Sequence, residues 1–160
     1  GGEPMFKSKW NIPHILKRML EALLILSPLV MIALPFLFAP IEQDTVITHV
    51  SSASQNRWVT LAFLEVCGAI CWVIILFLQR LLTTVIKTSP FVIKNVKYLK
   101  YISYLCAGAA VVLIVKSFVD FSILTPVIAV LALLSSMFCQ TLAAVFDKAI
   151  RLKAENDLTI

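Results

Sequence analysis

Four apolar stretches, each long enough to cross a lipid bilayer, divide this sequence and leave few choices for its fold. The hydrocarbon core is about 30 Å thick, and a helix needs about 20 apolar residues to span it. The stretches fall at about residues 19–41, 58–86, 97–121 and 124–146. Composition agrees: 60% of the 160 residues are hydrophobic and 14% are charged. Soluble domains carry about 25% charged residues. An ordinary soluble enzyme, a disordered chain and a secreted disulfide scaffold are excluded. The expected class is all-α, an integral membrane four-helix bundle.

Gly1-Gly2-Glu3-Pro4 precede Met5 and read as an expression remnant, so residues 5–160 form one four-span domain with a cytoplasmic helix extension and tail at 147–160. The basic leader Lys7, Lys9, Lys17 and Arg18 is signal-like. The apolar run behind it exceeds a signal h-region and reads as a retained anchor. Pro28, Pro35 and Pro40 interrupt that run. Membrane helices tolerate proline where a neighbouring helix satisfies the freed carbonyl. Ser89-Pro90 is expected to cap and start the third helix, which would run to about Phe121. Pro126 suits the start of the fourth.

Basic residues set the orientation. Of the 14 lysines and arginines, twelve lie before the first span, from Arg80 to Lys100 around the junction of spans two and three, or after the fourth. Only Arg57 and Lys116 fall elsewhere. The positive-inside rule therefore places both termini in the cytoplasm and the polar stretch at 42–57 outside. The net charge of +5 then reflects contact with anionic inner-leaflet lipid. The lysines sit beside Tyr98, Tyr101 and Tyr104, as interfacial anchors do, so no direct binding of nucleic acid is expected.

Glu65, Lys116 and Asp120 fall within or at the ends of spans. An ionisable group in the bilayer is by default a functional hypothesis with a partner to name. Lys116 and Asp120 are four residues apart and share a helix face. Glu65 is expected to meet Lys116 from the neighbouring helix. Two readings stay open: an ion pair that fixes register, or an outward pocket for a ligand, cation or proton. Lys116 snorkelling alone is a third.

Ala129, Ala132, Ser136, Cys139 and Ala143 recur at three- and four-residue steps on the fourth span, with Cys106, Gly108, Ala109 and Ala110 on the third. Small faces let membrane helices approach closely. Cys67 and Cys71 are one turn apart and do not form a Cys-x-x-Cys motif. Apolar surroundings disfavour the reactive thiolate, so a thiol oxidoreductase is the weakest reading. His14 and His49 have no metal-ligand spacing to the cysteines, and no nucleophile arrangement or phosphate loop is present. No catalytic residue, metal or cofactor is expected.

The element Ser89-Pro90-Phe91-Val92-Ile93-Lys94-Asn95-Val96-Lys97-Tyr98-Leu99-Lys100 and the closing Glu155-Asn156-Asp157-Leu158-Thr159-Ile160 carry a resemblance. With four spans they resemble the small bacterial membrane family called domain of unknown function 2975, over essentially all of residues 5–160. Ala149 stands where that family often has glycine, and Lys94 where an acidic residue is common. The resemblance implies a fold, a bacterial inner membrane and no established activity. It also implies a partner, since the genes often neighbour a small helix-turn-helix transcription regulator.

The residues give that partner a physical form. Phe146, Ile150, Leu152 and Ala154 make an apolar strip beside Lys148, Arg151 and Lys153. Acidic Glu155 and Asp157 disfavour a helix C-terminus, so the helix is expected to stop near Asn156. The tail would then clasp its own loop, Asp157 against Lys94 or Lys97, or dock on a partner. The expected function is a non-enzymatic regulatory or sensory component reporting through residues 89–100 and the tail. The alternative is a small transporter or ion pathway through Glu65, Lys116 and Asp120. A homo-oligomer is compatible with both.

Overall fold

The computed structural model describes residues 3–38, 57–119 and 124–159. Among them are four helices: α1 (Glu3–Phe38), α2 (Arg57–Lys87), α3 (Ile93–Val119) and α4 (Leu124–Leu158). Each contains a segment long and apolar enough to cross a membrane, the first being Ile12–Leu37. The polar stretch at 39–56, Asp120 and Ile160 lie outside the described residues.

Helix boundaries follow local chemistry, with one departure from expectation. Ser89 and Pro90 do not start α3; they form a turn ahead of Ile93. Ser89 Oγ accepts the Phe91 amide at 3.2 Å, and the Asn95 amide donates to the Val92 carbonyl at 2.9 Å. A serine two residues before an amide competes with helical pairing in this way, which delays the helix. Pro126 sits in the first turn of α4, where amides lack helical partners anyway. At the other end α4 continues through Asn156 and Asp157 to Leu158. Thr159 Oγ1 lies 3.1 and 2.9 Å from the Glu155 and Asn156 carbonyls, and its single proton serves one of these terminal acceptors at a time.

Packing is serial. α1 packs on α2, α2 on α3, and α3 most extensively on α4, while neither α1 nor α2 runs alongside α4. The four-helix bundle expected from the sequence is, among the described residues, an open row of helices. Lipid tails are as apolar as leucine, so no hydrophobic force closes such a row. Close approach needs small or hydrogen-bonding residues, and these concentrate on one seam.

That seam joins α3 to α4. Ser103 Oγ donates to the Ser136 carbonyl and Ser136 Oγ to the Ser103 carbonyl, both at 2.9 Å, with the hydroxyls 3.1 Å apart. The helices are antiparallel, so one heptad either way pairs Ala110 with Ala129 and Val96 with Ala143. All six residues are buried. The expected small face of α4 thus lies in the seam through Ala129, Ser136 and Ala143. Gly108 does not: it is exposed, and a Cβ there would meet nothing within 4 Å. The core at the 96/143 end is completed by Leu99, with Leu81 of α2 and Leu142, Phe146 and Ile150 of α4 packed around it. Phe77 of α2 stacks on Tyr101 at 5.5 Å and meets Tyr98 at 6.0 Å, securing α2 against α3.

Candidate functional site

Two places gather the residues singled out in the sequence. The first is the turn between α2 and α3. Asn95 is fully buried, and its Nδ2 donates to the Pro90 carbonyl at 3.0 Å. Its Oδ1 is buried with no hydrogen-bond partner. Phe91 reaches across to α4 and meets Phe146 edge-on at 5.9 Å. Val96, the next residue, belongs to the core with Leu99 and Ala143. The Ser-Pro-Phe element therefore folds the turn back on itself and fixes it to α4. Lys94, Lys97 and Lys100 all point to solvent around it.

The C-terminal motif behaves differently from expectation. Every residue from Arg151 to Thr159 is exposed, and those up to Leu158 are helical. The internal clasp does not form: among the described residues no ion pair joins Asp157 to Lys94 or Lys97. Arg151 instead pairs with Asp147 one turn back, at 3.3 Å. The apolar strip also divides. Phe146 and Ile150 turn into the core, while Leu152, 56% exposed, and Leu158, 86% exposed, face outward with Ala154. A continuing helix explains both results, because it carries the last two turns away from the turn at 89–92.

The second place is the set of charges within the spans. Glu65 and Lys116 are not paired among the described residues, contrary to expectation. Glu65 lines an open groove of about 330 Å³ between α1 and α2, together with Pro28, Met31, Ile32, Ala69 and Trp72. Lys116, on α3, is not among the described residues that line it. Asp120 lies outside the described residues.

Trp72 has a second role beside this groove. Its Nε1 donates to the Leu24 carbonyl of α1 at 3.2 Å. Leu24 is four residues before Pro28, which has no amide hydrogen to offer that carbonyl. The neighbouring helix thus supplies the missing donor. One turn outward, Gly68 lets Met31 approach: a Cβ there would lie 3.3 Å from Met31 Cγ. The indole could not be placed from sequence, since its partner depends on the α1–α2 register.

The four cysteines are free thiols. No group of three or more His, Cys, Asp or Glu that could hold a metal occurs among the described residues.

Neither the curated proteins nor the solved structures gave a match to this chain. The family described as protein of unknown function (DUF2975) matches residues 37–160, which takes in α2, α3, α4 and both motifs. That match extends over more than three quarters of the sequence, and the chain belongs to the DUF2975 family.

Proposed function

We propose that this protein is a non-catalytic regulatory component of the bacterial inner membrane, with both termini in the cytoplasm, that passes the state of its spans to a cytoplasmic partner. The observation that carries this reading is the join between the 89–97 turn and the base of the α4 extension. Phe91 against Phe146, and Val96 and Leu99 against Ala143, tie that turn to the helix that runs out to Leu158. A shift of α2 or α3 would move the extension as a lever. The extension presents Leu152, Ala154 and Leu158 beside Lys153, Glu155 and Asp157, all exposed. An exposed helix that carries apolar as well as charged side chains offers a partner a docking element. The gene neighbourhood that the family resemblance implies supports a helix-turn-helix transcription regulator as that partner.

A photo-crosslinking residue at Leu152 or Leu158 in native membranes tests the reading. It should capture one cytoplasmic protein, and deleting residues 155–160 should abolish capture and alter transcript levels. Unchanged transcripts with no captured protein would refute it. The competing ion pathway would need Glu65 and Lys116 on one route; among the described residues the two do not pair, and Lys116 does not line the groove that Glu65 lines.

A further inference from the structure

We propose that the groove between α1 and α2 is a binding site for a lipophilic organic cation, held by the Glu65 carboxylate and the Trp72 ring. The inference is independent of the cytoplasmic reading above and rests on the other end of the molecule.

The first argument is the carboxylate. Glu65 lies seven residues into the span that begins at Trp58, about 10 Å along the helix from that end. A charge at such depth needs a compensating partner. Glu65 faces a groove whose other walls are Pro28, Met31, Ile32, Ala69 and Trp72, none of them charged. Lys116, on α3, is not among the described residues that line it. Residues 39–56, which join α1 to α2, contain no lysine or arginine, only Glu42, Asp44 and His49 among titratable groups. No lysine or arginine is among the described residues that line the groove, and the nearest in sequence is Arg57 at the start of α2.

The second argument is the wall. The Trp72 indole nitrogen is committed to the Leu24 carbonyl at 3.2 Å, which fixes the ring in place as part of the groove. A held indole face attracts cations. Met31 and Ile32 add apolar and polarisable contacts, and Ala69 leaves room one turn from Glu65. The volume of about 330 Å³ lies within the range of small-molecule sites, about 300–1,000 Å³. A carboxylate, an aromatic ring and aliphatic walls together select a cation whose charge is clothed in hydrocarbon. A small hydrated metal ion would find one carboxylate and no further oxygen side chain among the described residues that line the groove.

The test uses the full chain in lipid nanodiscs with radiolabelled tetraphenylphosphonium as the probe. Saturable binding, displaceable by unlabelled probe, is expected. Glu65→Gln and Ala69→Phe should each weaken it at least tenfold, Glu65→Asp should retain it within about threefold, and Lys116→Gln should leave it unchanged. Ala69→Phe fills the groove and keeps the carboxylate, so it decides the matter if Glu65→Gln fails to assemble. Purely non-saturable partitioning of the probe, or saturable binding equal in the wild type and both weakened variants, would overturn the site.

Discussion

Pro28 removes one amide from α1, and the indole of Trp72 replaces it at the Leu24 carbonyl. This single substitution of donors explains how a proline sits inside a span without leaving a bare acceptor in lipid. It also yields a prediction with an internal control. Trp72→Phe should destabilise the α1–α2 contact by about 1 kcal/mol, within the range measured for such bonds in membranes. In a Pro28→Ala background residue 28 regains its amide, and the same Trp72→Phe change should then cost only a few tenths of a kcal/mol. A double-mutant cycle read by steric trapping or reversible SDS unfolding checks this; equal costs in both backgrounds would show that the bond is incidental. The proline's demand was legible in the sequence because it depends on one residue type and a spacing of four. The identity of the donor was not, because Trp72 is 48 residues away and reaches Leu24 only through helix register. Glu65 shows the same limit. Its depth was legible, but the flank it occupies decided between Lys116 and the α1 groove.

Helix pairing shows where the sequence spoke more fully. The seven-residue steps Ala129, Ser136 and Ala143 were visible on α4, and their burial follows from the demand for small residues at a lipid-embedded seam. Their partners Val96, Ser103 and Ala110 repeat at the same interval, which keeps the contact on one stripe along the two helices. Ser103 escaped notice because a lone serine in a span carries no local signal; the reciprocal bonds with Ser136 give it meaning. Close packing makes the seam intolerant of volume. Ala129→Leu should force α3 and α4 apart and cost about 1–3 kcal/mol, whereas Met137→Leu, on the 66% exposed outer face, should be near neutral. Thermal unfolding in detergent micelles distinguishes the two. Equal midpoints would mean that the seam loosens in the membrane. The delayed start of α3 belongs at this scale as well. Ser89 and Pro90 are signals of a helix start, but Ser89 spent its hydroxyl on the Phe91 amide and the turn served to anchor Asn95.

At the scale of the whole molecule, helix length and charge make one argument about orientation. α1 has 36 residues and α4 has 35, against 27 for α3. At 1.5 Å per residue the two terminal helices are each more than 50 Å long, about 20 Å beyond a 30 Å hydrocarbon core. The surplus lies at one end of each helix. In α1 it is the polar start that carries Lys7, Lys9, Lys17 and Arg18, with Lys17 near Glu21 at 4.0 Å. In α4 it is the end that carries Lys148, Arg151 and Lys153. Spans one and four run in opposite directions, so both surpluses emerge on the same face, beside the basic turn between α2 and α3. An open row of helices reinforces this, because α1 and α4 do not touch within the membrane and each must be oriented by its own flanking charge. Reporter fusions follow directly. A green fluorescent protein fused after Ile160 should fluoresce, and alkaline phosphatase at the same place should be inactive. Alkaline phosphatase inserted after Thr48 should be active. Replacing Lys148, Arg151 and Lys153 together by glutamine should weaken the retention of that end, seen as a rise in phosphatase activity of the Ile160 fusion, while the same change at Arg57 should strengthen the existing orientation. Active phosphatase at Ile160 in the unaltered chain would invert the molecule, place the turn at 89–97 and the α4 extension outside, and remove the basis for a cytoplasmic partner.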